Sequence, residues 1–260
     1  MEKDYVFEFK TQRSKWEYKT INEEAIKQAV NNAYNDAKRT MNGISKVDSE
    51  LKKAKENVIE LLKLYFTGAV PENTKDFDKK HNEMCKAWQK EFSLPALKTY
   101  GKAQKIVNMS FKYLYCCEED SKNDYFKYCH MPLDSIILEW FKREYNKTHI
   151  KKLTEKKINS WSNIQDTKGY YYEYGFYVDE IRKICNSLPD EPTVLQHEFR
   201  IWSDMQEKLA AEDFLLSLIG DEFDRSVKVR KKREVMGAEL IENYRDIRNI
   251  LDAKLSEFSK

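Results

Sequence analysis

Apolar positions recur every three or four residues along most of this chain, with polar and charged residues between them. That spacing predicts helices with one buried face. The first long stretch, TINEEAIKQAVNNAYNDAKRTMNG, has an inner stripe of Ala25, Ile26, Ala29, Val30, Ala33 and Ala37. Thr20 followed by Glu23 makes a capping box, and Gly43 supplies a stop. DSELKKAKENVIELLKLYFTG repeats the grammar: Asp48 or Ser49 caps, Leu51, Ala54, Val58, Leu61, Leu62 and Tyr65 face inward, and Gly68 ends the helix. A third helix over 74–92 is built around Phe77, His81, Cys85, Trp88 and Phe92. Ser93 and Pro95 start a turn or helix that Gly101 interrupts, and helical spacing resumes from Ala103 through Ile106, Val107, Met109, Ser110 and Leu114. CEEDSKND reads as a polar loop. MPLDSIILEWFKREY is the next helix, with Pro132 in its first turn. Another helix is expected at roughly 170–187, and one capped by Thr193 carries Leu195, Phe199, Ile201 and Trp202. Residues 5–19 partly alternate and carry aromatics, which fits a short strand or an extended arm over the core.

After Gln206 the pattern changes to long helices with charge on all sides. A basic block spans Lys228–Arg233, and Ile241, Tyr244, Ile247, Ile250, Leu251 and Leu255 leave an apolar stripe that needs the body or another chain to cover it. There is no internal repeat, low-complexity segment or clear linker. The expectation is a mainly α protein: a multi-helix globular body over 1–205, with 1–19 as an N-terminal arm, and a helical C-terminal extension over 206–260.

Composition supports this class. Gly (7) and Pro (5) are too scarce for a turn-rich all-β fold, and 13% aromatic residues is too many for a disordered chain. No apolar run approaches the ~20 residues that span a bilayer. The start, MEKDYVFEFK, has charges where a signal peptide needs an apolar core, which predicts a cytoplasmic protein, nucleoid-associated if it binds DNA. Five cysteines without a framework spacing predict free thiols. A net charge of +2 means that any basic surface must be local.

Two local basic segments exist. From Ser93 to Cys117 there are Lys98, Lys102, Lys105 and Lys112 and no acid, and residues 142–158 carry Lys142, Arg143, Lys147, Lys151, Lys152, Lys156 and Lys157 against Glu144 and Glu155. These lysines are either a solvated face or a phosphate footprint, with Lys98, Lys102, Lys112, Lys147, Lys151 and Lys152 as contacts. Lys105 falls on an apolar stripe. Asp134 stands at a helix start, where a carboxylate caps amides, or is held ionised to stabilise a developing cation. A lysine amine with a depressed pKa can attack a sugar C1′ and displace a base as a Schiff base forms, while a carboxylate opposite stabilises the oxocarbenium-like sugar. The base must first leave the duplex for a pocket. In GYYYEYGFYVDE, Tyr171 and Tyr174 are candidates for that pocket, and Tyr177 and Ile181 for packing.

The order Lys–x–x–Asn, apolar helix, loop, PLDS, apolar helix, in KIVNMSFKYLY and MPLDSIILEW, resembles the helix-hairpin-helix DNA glycosylase superfamily, most of all its archaeal 8-oxoguanine DNA glycosylase branch. HEFRIW is similar to the helix near the end of that domain, and the resemblance covers roughly 20–205. It implies base excision, with a possible strand-nicking lyase step, by Lys105 as nucleophile and Asp134 as electrostatic partner. The family's hairpin, LPGVG, brings backbone amides to a phosphate; here the comparable stretch is LPALKTYGKAQ, whose single glycine is Gly101. The extension has no counterpart in the family.

The expected partner is double-stranded DNA, with a protein partner possible through 206–260 and no membrane. Two alternatives stand beside the enzyme: a catalytically inactive helical DNA-binding protein, and a helical protein-interaction factor. Cys116, Cys117, Cys129 and His130 bracket one loop but lack a standard zinc spacing, so no metal is assigned. His81, His149 and His197 form no recognisable triad. No Walker-type or GxGxxG loop is present, and no cofactor is assigned.

Overall fold

The computed structural model describes residues 4–41, 43–153, 160–166, 173–188 and 193–219. It is mainly α, and among the described residues there is no strand, only an isolated bridge between Gln165 and Glu173. Among the described residues eight α-helices follow in order: α1 (Tyr5–Glu8), α2 (Glu23–Ala37), α3 (Asp48–Thr67), α4 (Thr74–Gln89), α5 (Tyr100–Tyr115), α6 (Ser135–Thr148), α7 (Tyr174–Asn186) and α8 (Val194–Ile219). The chain divides into two compact units, Met1–Gln206 and Glu207–Lys260. The site lies in the first unit. The basic block and the apolar stripe of the extension lie outside the described residues.

The helices bury the stripes that the spacing predicts. All six inner residues of α2 are buried, as are Ala54, Val58, Leu62 and Tyr65 of α3, with Phe66 added, whereas Leu51 and Leu61, also expected to face inward, are half-buried. The ends differ more. Asn22, not Thr20, caps α2, its Oδ1 accepting the Ala25 amide at 2.9 Å. α3 begins at Asp48 with no side-chain cap. Residues 5–13 are helical rather than extended: Asp4 caps α1 by accepting the Phe7 amide, and a π-helical turn runs on from Phe9 to Arg13. Aromatic alternation mimicked a strand there, but the local cap decides the backbone. Pro132 lies ahead of α6 rather than in its first turn, because Asp134 is the cap.

α5 is the central element. Every residue from Tyr100 to Leu114 is buried, so its polar residues are enclosed along with its apolar ones. It packs against α2 and α4, and its first turn meets the segment 161–163. Gly101 does not interrupt this helix but opens it, because nothing larger fits. A Cβ at 101 would stand 1.8 Å from the Trp161 carbonyl oxygen. Backbone approaches backbone directly, and the Gly101 amide donates to the Ile164 carbonyl at 2.8 Å.

Candidate functional site

The early turns of one helix and the start of the next bring Lys105 and Asp134 together. Lys105 projects from the second turn of α5, and Asp134 ends the segment that leads into α6. Lys105 Nζ donates to Asp134 Oδ2 at 2.9 Å, with side-chain exposures of 8% and 16%. The carboxylate has four donors. Oδ1 accepts the Ile136 and Ile137 amides at 3.0 and 2.9 Å, as a cap does, and Oδ2 accepts Lys105 and the Trp202 indole N–H at 3.0 Å. Burial pushes the Asp134 carboxyl up, but the Lys105 ammonium, the Ile137 amide and the Trp202 indole outweigh it, and the group lies below its ordinary value. Asp134 is thus both a cap and a fixed carboxylate facing a lysine. Trp202 comes from α8, and its neighbour Glu198, one turn earlier, carries a second buried charge.

That second charge meets Lys112. Lys112 Nζ lies 2.6 Å from Glu198 Oε2, with side-chain exposures of 3% and 1%. The contact is short but misaligned, since neither Glu198 oxygen has a donor in hydrogen-bonding geometry. Burial pushes the Glu198 carboxyl up despite the Lys112 charge. Phe9 and Phe199 complete the enclosure, with ring centres 4.3 and 4.7 Å from the ammonium, within cation–π range. Glu198 had no part in the sequence reading. It was visible as an acid between Leu195 and Phe199 on an apolar stripe, the same anomaly that picked out Lys105.

The other sequence-predicted residues separate into two groups. Lys98, Lys147, Lys151 and Lys152 are exposed. Lys147 pairs with Glu144 at 2.7 Å, and Lys152 donates to the Asn146 carbonyl. Gly101, Lys102 and Lys112 are buried. Lys102 donates to the Ser162 carbonyl at 3.2 Å, and burial lowers its pKa. The Gly101 amide is already bonded to Ile164, so it faces the protein and not a phosphate. Tyr171 lies outside the described residues. Tyr174 is buried, and its hydroxyl sits inside a polar network rather than at a surface.

That network runs inward from Asp78. Arg182 holds the Asp78 carboxylate with both guanidinium nitrogens, at 3.0 and 2.6 Å. His130 Nε2 lies 2.8 Å from Asp78 Oδ1, and His130 Nδ1 lies 2.9 Å from the Tyr174 hydroxyl. Asn108 Nδ2 donates to that hydroxyl at 2.8 Å, and an Arg182 guanidinium nitrogen lies 3.0 Å from His130 Nε2. Asn108 Oδ1 lies 2.9 Å from His81 Nε2. Burial lowers the pKa of both histidines, and for His81 His130 adds to it. Beside His130 a small cavity of about 10 Å³, room for one water, is lined by Met131, Leu133, Val178, Ile181, Arg182 and Val194.

The five cysteines are free and buried, and among the described residues no group of three or more His, Cys, Asp or Glu side chains is placed to share an ion. No helix there is long and apolar enough to cross a membrane. No family model, no curated protein and no solved structure matches this chain.

Proposed function

We propose that this chain is a DNA glycosylase-like protein, its body built as in the helix-hairpin-helix DNA glycosylases, which excises a damaged or modified base through Lys105 and Asp134. The observation that carries the reading is the 2.9 Å pair between a lysine on a buried helix and a carboxylate fixed at the next helix's N-terminus. A buried ion pair is a poor source of stability, because desolvating both charges cancels most of their attraction. Its presence calls for another reason, and covalent chemistry is one.

The chemistry follows from the placement. Lys105 must shed one proton to become a nucleophile; Asp134 Oδ2, the nearest acceptor, relays it to the departing base and is itself left ionised. The amine nitrogen then forms a bond to C1′ of an extruded nucleotide as the bond from C1′ to the base breaks. The base leaves with the bonding pair and gains a proton. Loss of a further proton and opening of the sugar ring give the Schiff base. Asp134, ionised, stabilises the positive charge that develops on the sugar. Exposed Lys98, Lys147, Lys151 and Lys152 are the residues left to meet phosphates.

Borohydride trapping tests this. Mixed with duplexes containing 8-oxoguanine, uracil or an abasic site and then reduced, the protein is expected to give a covalent protein–DNA band that Lys105→Ala abolishes and Asp134→Asn weakens by about a hundredfold, on the scale of a lost electrostatic partner. A band unchanged in Lys105→Ala refutes the assignment of the nucleophile. Absence of a band with all three duplexes removes the lyase chemistry. Salt-sensitive duplex binding without a band favours a helical DNA-binding protein instead.

A further inference from the structure

Two amide side chains on α5, Gln104 and Asn108, are fully enclosed, at 0% exposure each. Leucine at either position would bury more cheaply, because amides need every hydrogen bond replaced. The replacement is complete at Gln104. Its Nε2 donates to the Gly101 carbonyl at 2.9 Å and to the Leu133 carbonyl at 3.0 Å. Its Oε1 accepts the Leu133 amide at 3.2 Å and Asn108 Nδ2 at 2.9 Å. Gln104 therefore holds both backbone groups of the residue immediately before Asp134, as a neighbouring strand would. Asn108, one turn on, directs the same Nδ2 group toward the Met131 carbonyl at 3.4 Å and anchors the pair to Tyr174 and His81.

The segment 129–134 has no helix of its own to set its path. Its end must nevertheless place a carboxylate within hydrogen-bonding distance of Lys105, the residue next to Gln104 on α5. We infer that Gln104 is a positioning residue for the Lys105–Asp134 pair. By clamping Leu133 to the helix that carries Lys105, it fixes the register between the amine and the carboxylate. Asn108 locks the orientation of the Gln104 amide. The catalytic meaning rests on the base-excision reading; the clamp itself rests on geometry alone.

The test uses the full chain and two readouts: reductive methylation of each lysine by formaldehyde and cyanoborohydride, followed by mass spectrometry, and borohydride trapping on an abasic duplex. Gln104→Met keeps the volume and removes the clamp. It is expected to raise Lys105 methylation about tenfold relative to Lys112, and to slow trapping about tenfold with duplex affinity unchanged, the scale on which supporting residues act. Tyr65→Phe is the comparison, since it removes a buried hydrogen bond, to the Tyr125 carbonyl, outside this network and without touching Leu133. It is expected to lower the melting temperature and leave both readouts at wild-type values. Wild-type methylation of Lys105 in Gln104→Met, or equal changes in both variants, overturns the inference. A wild-type protein that traps no DNA defeats the base-excision reading alone, and methylation still decides the clamp. If Gln104→Met does not fold, amide hydrogen exchange in the wild type decides: the Leu133 amide is expected to be as protected as the interior of α5, and exchange at loop rates overturns the clamp.

Discussion

A single side chain in this core is worth what its neighbours make of it, and Lys112 and Glu198 show this best. Each alone is a buried charge, and together they make a misaligned pair at 2.6 Å. Lys112→Met or Glu198→Leu alone is expected to cost about 3–5 kcal/mol, because the partner is left buried and uncompensated. The double variant is expected within about 1 kcal/mol of wild type, or more stable, since apolar packing replaces two desolvated groups. Urea unfolding of all three chains checks this, and additive losses would contradict it. At this scale the sequence was readable where a residue broke its own pattern. Lys105 stood out on an apolar stripe, and Asp134 stood before an apolar run. Glu198 broke its stripe in the same way, but its partner is 86 positions away on another helix, and spacing along one helix does not reveal that. Asn22 displaced Thr20 as a cap because two competent cap residues lay two positions apart, and only the tertiary path chooses between them.

Among the elements, the stripes were legible and the ends were not. The inner faces of α2 and α3 follow from a period of 3.6 residues, which needs no partner to be seen. α5 is the instructive exception. Its stripe was visible from Ala103, but a helix buried on every side has no polar face to give the pattern contrast. Gly101 looked like a breaker because glycine disfavours helices. Its real reason is a carbonyl of a segment sixty residues later, which no local rule can show. Gly101→Ala is accordingly expected to cost about 3 kcal/mol, the upper part of the range for overpacking, rather than to stabilise the helix as Gly→Ala usually does. Thermal unfolding measures it, and a rise in melting temperature would show that residues 161–164 yield without cost.

At the scale of the molecule, the buried network ties α4, α5, α7 and the segment before α6 into one titrating unit. His81 and His130 are both held neutral by burial, facing Asp78, Arg182, Asn108 and Tyr174, with Asp179 near His130. Their folded pKa values lie below 6.5, so the unfolded chain takes up protons first as pH falls. Stability is therefore complete above about pH 6.5 and declines below it, by up to about 1.4 kcal/mol per pH unit for each histidine. Denaturant unfolding between pH 8 and pH 5 is expected to show that decline, with His130→Gln reducing its slope by one histidine's share. A flat profile would mean that the histidines are not buried as described. None of this network was legible in the sequence, where His81 and His130 sit 49 positions apart and match no motif.

The distances along the chain also set an order in time. Synthesis runs from the N-terminus, and a domain folds as a unit once its residues have emerged. Lys105 and Asp134 are 29 residues apart, whereas the indole that donates to Asp134 comes 68 residues after it. The amine, the carboxylate and both capping amides are thus made before the fourth donor exists. Both members of the pair are therefore made well before the residue that completes their surroundings, and the carboxylate's fourth position stays open until α8 has been made.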